Sequence, residues 1–300
     1  MALHHGSAPA SYLFPFSVGN KGRRSSIFVL PFDANRRPYS KAIGEVNVVN
    51  NQFKVNLPGV DEDIIENSWA KNFEEPYAVV KNDIINGIWP LSQESRDIVA
   101  NFMSMSMHKN HGLLDTVRGS VVNLWSEIIE KNNVDASEAA AYYEEHANEF
   151  DAELLRIIHN KVPHVGRLIS KFPWSLVRSE TPFITGDAPV TLAMKDGPEN
   201  YVGTRTGKIN DSDLISMPIS RHLAIHIEVR DHSGNFKGDY LRNRSGSYDD
   251  VIEDIRASKY IVDAILASCQ ELYIYPEDKE EIIKSESFKT SIYGTLARFN

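Results

Sequence analysis

Two spacings of apolar residues divide this chain into three stretches. Near the N-terminus the spacing is that of strands. Residues 25–33 read S-S-I-F-V-L-P-F-D, a β-branched and aromatic run in which Pro31 marks an edge or a bulge. Residues 45–56 predict a hairpin with its turn at Asn50 and Asn51 and F-K-V as the return strand. From residue 60 the spacing lengthens to three or four. Ile65, Trp69, Phe73, Tyr77, Val80, Ile84 and Ile88 fall on one face of a long helix. Pro76 lies inside that helix and predicts a kink or a restart, because proline cannot donate to the carbonyl four residues back. Asp63 (or Asp61) with Glu66 has capping-box spacing, Ser92 caps the next helix, and Asp135 with Glu138 opens another. Residues 114–129 carry a further stripe. Residues 154–169 predict a helix perturbed or split at Pro163.

At Phe172 the pattern returns to strands. P-W-S-L-V-R-S, F-I-T and P-V-T-L-A-M are extended, and residues 192–212 read as a long loop or a weak hairpin. Residues 213–229 predict two strands joined near Ser220 and Arg221. In the second, Leu223, Ile225, Ile227 and Val229 share one face, and His222, Ala224, His226 and Glu228 the other. Residues 247–268 predict the last long helix, and 271–275 a final strand. Strands at both ends around a helical middle predict an α+β fold. Its mixed or antiparallel sheet would combine N- and C-terminal strands, with a central all-helical layer covering one side. One domain over 1–300 is expected, with N-terminal strands in 1–57, a helical insert in 60–170 and a C-terminal sheet and helix in 172–300.

Composition narrows the function classes. The 300 residues are 42% hydrophobic with a formal charge of −9, enough for a core and unfavourable for a protein coated with nucleic acid. A single cysteine, Cys269, excludes an internal disulfide and reads as a buried small residue. No stretch approaches 18 apolar residues, and the N-terminus lacks the basic start of a signal peptide. A cytoplasmic setting with no membrane association is expected. Neither G-x-G-x-x-G nor G-x-x-x-x-G-K-[ST] occurs, so there is no nucleotide cofactor signature. H-E-x-x-H, paired C-x-x-C and G-x-S-x-G are also absent.

Four stretches together resemble the DUF4238 family, whose members are largely uncharacterised. They are His4-His5 with Pro9 and Y-L-F-P-F at 12–16, E-N-S-W-A-K-N-F-E at 66–74, F-M-S-M-S-M-H-K at 102–109, and F-I-T-G-D-A-P-V at 183–190 followed by M-P-I-S at 217–220. In the third, His108 or Lys109 stands where the family has an arginine. The resemblance implies an architecture and a residue set, His5 (or His4), Glu66, Glu74 (or Glu75), Lys109 and Asp187, without an assigned chemistry.

Those residue types define a candidate site. Asp187 ends a strand in T-G-D-A-P, where its side chain either closes the turn through backbone amides or points to a ligand. Glu66 and Glu74 are eight residues apart, about 80° around an ideal helix and two turns along it. Converging with Asp187 and His5, they would form a hard site for Mg²⁺ or Mn²⁺. Such a site activates water and offsets charge on a phosphodiester, with Arg23, Arg24, Lys109 or Arg221 holding the phosphate. The expectation is therefore a metal-dependent phosphodiesterase or nuclease with His5, Glu66, Glu74 and Asp187 as ligands. The alternative is a non-catalytic module that binds a protein or nucleic acid through its helical face. That alternative expects Glu66 and Asp187 to be occupied by local hydrogen bonds.

Overall fold

A computed structural model describes residues 4–6, 8–19, 22–33, 36–46, 48–50, 53–109, 119, 127, 131, 135–195, 201–204, 209, 212–229, 251–253 and 255–284. The stripe over 114–129 lies outside these residues, apart from 119 and 127.

Three sheets form. The short strands β1 (His4–Gly6) and β4 (Val48–Asn50) pair antiparallel, with His5 opposite Val49. Residues 45–56 therefore do not make the expected hairpin. The strand before Asn51 pairs with the N-terminus instead, and Lys54 and Val55 are not in a strand. The second sheet joins β2 (Ser26–Pro31), β3 (Tyr39–Ala42), β6 (Thr185–Gly186) and β12 (Glu271–Ile274) in the order β3-β2-β12-β6, antiparallel throughout. N- and C-terminal strands thus share a sheet, as the patterning predicts. The third has the order β11-β5-β10-β9-β7-β8. It contains β5 (Trp174–Arg178), β7 (Thr191–Lys195), β8 (Tyr201–Thr204), β9 (Leu214–Ser220), β10 (Leu223–Glu228) and β11 (Val251–Ile252). Its pairs are antiparallel except β11 with β5.

Among the described residues the helical middle includes α2 (Ile64–Trp69), a π-helical turn (Ala70–Glu74), α3 (Glu75–Ile85), α4 (Gln93–His108), α5 (Ala136–Glu145) and α6 (Ala147–Ser170), preceded by the short α1 (Ala10–Leu13). Of the two prolines, Pro76 marks a restart of its helix, as expected, and Pro163 leaves its helix unbroken. The π turn immediately precedes Pro76, which sits in the first turn of α3. Its wider winding accommodates a ring that would otherwise meet the carbonyl of Asn72. Pro163 does not split its helix, because α6 runs through it with the proline on the solvent side. Ser92 caps α4 by accepting the Ser95 N–H at 3.1 Å, whereas Asp63 makes no cap bond and Asp61 accepts the Asp63 N–H instead.

One continuous core joins the buried faces of α2, α3, α4 and α6 to Trp174, Leu176, Ile225 and Ile227 on one side of the six-stranded sheet. The opposite side of that sheet is covered too. Val177 and Ala224 pack with Ile261 and Ile265 of α7 (Ile255–Ser268) and with Leu272 and Ile274 of β12. The sheet is therefore covered by helices on both faces, not one, which is why β9 and β10 are buried at alternating and intervening positions alike. A short helix, α8 (Lys279–Lys284), follows β12.

Candidate functional site

Glu66 lies in α2 and Glu74 ends the π turn. An α turn takes 3.6 residues and a π turn about 4.4, so eight residues spanning one of each bring the second side chain back over the first. The 80° offset of a regular helix disappears. Both carboxylates meet Lys109, the residue that caps the C-terminus of α4. The Lys109 ammonium donates to Glu66 Oε1 and Glu74 Oε1, each at 2.9 Å. The lysine side chain is 1% exposed, against 18% and 17% for the glutamates.

Aromatic rings complete its surroundings. Lys109 Nζ lies 5.6 Å from the Phe53 ring centre and 5.3 Å from that of Trp69, within cation–π range. His159 of α6 stacks on Trp69, centroids 6.4 Å apart. Burial pushes Lys109 toward the neutral form, but Glu74 and Glu66 outweigh it and hold the ammonium above the usual lysine range. The C-terminal end of α4 also favours a cation. Burial lowers the affinity of His159 and His108 for a proton. His108 Nδ1 is 2.7 Å from the Ser104 carbonyl, which makes it the protonated nitrogen of the ring.

Asp187 occupies a different kind of place. It follows β6, and by Thr191 the chain has crossed into β7 of the six-stranded sheet. Its Oδ1 accepts the Gln270 N–H at 2.8 Å and the Glu271 N–H at 3.3 Å, and its own N–H donates to the Glu271 carbonyl at 3.2 Å. The carboxylate thus fastens the crossing to the start of β12. Gly186 is required there, since a Cβ would lie 2.4 Å from Cys269 Sγ and 2.6 Å from the Glu271 carbonyl.

The other predicted residues spread out. The backbone of His5 lies in β1, and its side chain is outside the described set. Arg23 and Arg24 sit exposed on a 3₁₀ turn (Gly22–Arg24). Arg221 makes a two-pronged bond to Asp278, at 2.8 and 2.5 Å, and lies 3.9 Å over the Tyr275 ring. Among the described residues, no group of three or more His, Cys, Asp or Glu side chains is arranged to hold a metal. The oxygen donors of Glu66 and Glu74 suit Mg²⁺ or Mn²⁺ by type, and Lys109 places one positive charge against their two negative ones.

Sequence reasoning missed Tyr12, although Y-L-F-P-F contains it. Its buried hydroxyl lies 2.7 Å from Thr185 Oγ1 and donates to the Pro218 carbonyl at 2.7 Å. Its ring stacks on Phe102 at 6.0 Å, and Tyr77 stacks on the same Phe102 at 3.6 Å. Burial drives the Tyr12 and Tyr77 hydroxyls strongly toward the protonated form. Also unforeseen is Lys81, buried on α3, whose ammonium donates to the Ser11 carbonyl at 2.6 Å.

A family model described as "Protein of unknown function (DUF4238)" matches residues 5–245, and the chain belongs to that family. No curated protein and no solved structure matches it. The four stretches that resemble the family meet in two places. Tyr12 meets Thr185 and Pro218 through its hydroxyl and Phe102 through its ring, and Glu66, Glu74 and Lys109 form one ion cluster. Helix α4 carries Phe102 and Lys109 and so contributes to both.

Proposed function

We propose that this DUF4238 protein is a non-catalytic module that recognises another protein through the solvent-facing side of its helical layer. One observation carries the reading. The Lys109 ammonium bonds one oxygen of Glu66 and one of Glu74 from within the fold, 2.9 Å from each, so both carboxylates already share an internal cation. Asp187 is likewise engaged with the backbone of residues 270 and 271. A protein is favoured over nucleic acid by the net charge of −9. Val79 on α3, at 64%, and Ile88 just beyond that helix, at 56%, are exposed apolar side chains of the kind that mark contact surfaces. The lone, buried Cys269 fits a reducing cytoplasmic setting.

A second reading, a metal-dependent phosphodiesterase using His5, Glu66, Glu74 and Asp187, draws on one atom. Glu66 Oε2 is buried without a hydrogen-bond partner among the described residues, which leaves a carboxylate oxygen for an Mg²⁺ or Mn²⁺. Calorimetric titration with Mn²⁺ and an assay with a generic phosphodiester separate the two. The binding-module reading expects no saturable Mn²⁺ heat and no hydrolysis from the wild type. Stoichiometric Mn²⁺ binding that disappears in Asp187→Asn would overturn it in favour of the hydrolase.

A further inference from the structure

Charge is segregated along α5 and α6 in a way the binding reading does not use. Residues 135–153 contain seven acidic side chains and no lysine or arginine, whereas 156–178 contain five lysines and arginines and no acid. A helix dipole favours acids at the start and bases at the end, but only within the first and last turns. Here the separation extends over the whole of α6, which has 24 residues and is about 36 Å long.

The separation lies on one face. Leu155, Ile158, Val162, Gly166 and Ile169 are buried. Gly166 lets α4 approach so closely that a Cβ there would fall 2.0 Å from Asn101 Oδ1. On the opposite side, Glu149, Glu153, Ile157, Asn160, His164, Arg167 and Lys171 follow one another at intervals of three or four and are all exposed. Lys161 and Leu168 flank this stripe and are also exposed. Lys161, Arg167 and Lys171 form no ion pair among the described residues, and Glu153 pairs only with Arg156 on its own helix.

We propose that this face of α6 is a homodimer interface in which two copies of the helix pack antiparallel about a two-fold axis at Asn160. That axis places Glu149 opposite the partner's Lys171 and Glu153 opposite the partner's Arg167, because each pair lies equally far on either side of residue 160. Ile157 then meets the His164 turn of the other copy, and the two Asn160 side chains face each other. A two-fold axis requires a self-complementary surface, and a helix with one acidic and one basic half is such a surface only when antiparallel. Parallel packing would set like charges side by side. A polar residue at the axis fixes register, as a buried asparagine does in paired helices. The contact area of a single helix pair is small, so the dimer is weak and its pairs are sensitive to salt. The proposal concerns self-association and stands apart from the partner-binding reading.

Sedimentation equilibrium or light scattering of the full chain tests it. Wild type should approach twice the monomer mass in low salt at near-millimolar concentration. Its dissociation constant should rise at least about tenfold at 0.5 M NaCl. R167E/K171E alone and E149K/E153K alone should each be monomeric, since each face then carries one sign of charge. An equimolar mixture of the two should form a heterodimer, because all four pairs are then of opposite sign, two as in the wild type and two with their signs exchanged. Circular dichroism of both variants reads whether the helix is intact. A wild type that stays monomeric in low salt overturns the proposal. So does a folded R167E/K171E that still dimerises, or a mixture that fails to associate.

Discussion

Tyr12 and Thr185 share a 2.7 Å hydrogen bond between the first helix of the chain and the strand that leaves the four-stranded sheet. The same hydroxyl donates to Pro218 in β9, so one side chain joins both large sheets. Tyr12→Phe keeps the ring on Phe102 and removes the donor. The Pro218 carbonyl then loses a buried partner, at a cost of about 1–3 kcal/mol. Urea unfolding of the variant, with an unchanged dependence on denaturant, is the expected result. A loss below the error of the midpoint would mean that the hydroxyl is dispensable.

Lys109→Met should be far more damaging. It leaves Glu66 and Glu74 facing each other without their cation, and breaking such a pair typically costs about 3–5 kcal/mol. Adding Glu66→Gln and Glu74→Gln to the same background should recover a large part of that loss. The pH dependence follows from the direction of the shift. The lysine binds its proton more tightly folded than unfolded. Its contribution is therefore complete below the unfolded value of 10.5 and fades as pH rises through the higher folded value. Chemical denaturation at several alkaline pH values, wild type against Lys109→Met, reads this difference.

Lys81 should behave in the opposite sense. Burial pushes its ammonium down to about 8 from an unfolded 10.5. Between those values the unfolded chain binds more protons, so this residue makes stability rise with pH. The gain accumulates to at most about 3 kcal/mol, and below pH 8 the penalty is constant. Lys81→Met should flatten the rise between pH 8 and 10.5. An unaltered slope in that window would refute the assignment.

Gly186→Ala should destabilise by at least about 1–3 kcal/mol, the usual cost of forcing a methyl group into a packed site. Cys269→Ala in the same chain should restore only part of this, since the Glu271 carbonyl still lies 2.6 Å from the added atom. Thermal melting of the single and double variants provides the comparison.

The apolar spacing revealed most of the elements and their faces. Leu223, Ile225 and Ile227 stand on one side of β10 and Ala224 on the other, as read. The joining of β2 to β12 also follows from strands at both ends of the chain. Glu66, Glu74 and Lys109 could be named from family-like stretches, but their meeting could not be derived. It depends on a π turn, and the only local sign of one is Pro76, which equally fits a kink. The pairing of β1 with β4 was invisible because three-residue strands leave almost no periodic signal. For Asp187 the sequence leaves two roles open, and its choice of backbone partners rests on β12, more than eighty residues away.

Because β12 lies between β2 and β6, the four-stranded sheet has an order of assembly written into it. On a ribosome, β2 and β3 emerge early and can form a hairpin, but β2 keeps one bare edge until Glu271 can align with Pro31. Closing that loop encloses nearly the whole polypeptide, which makes it the slow, nonlocal step of folding. Chains halted before β12 would therefore expose two unpaired edges, and those incomplete chains are where aggregation should concentrate during synthesis.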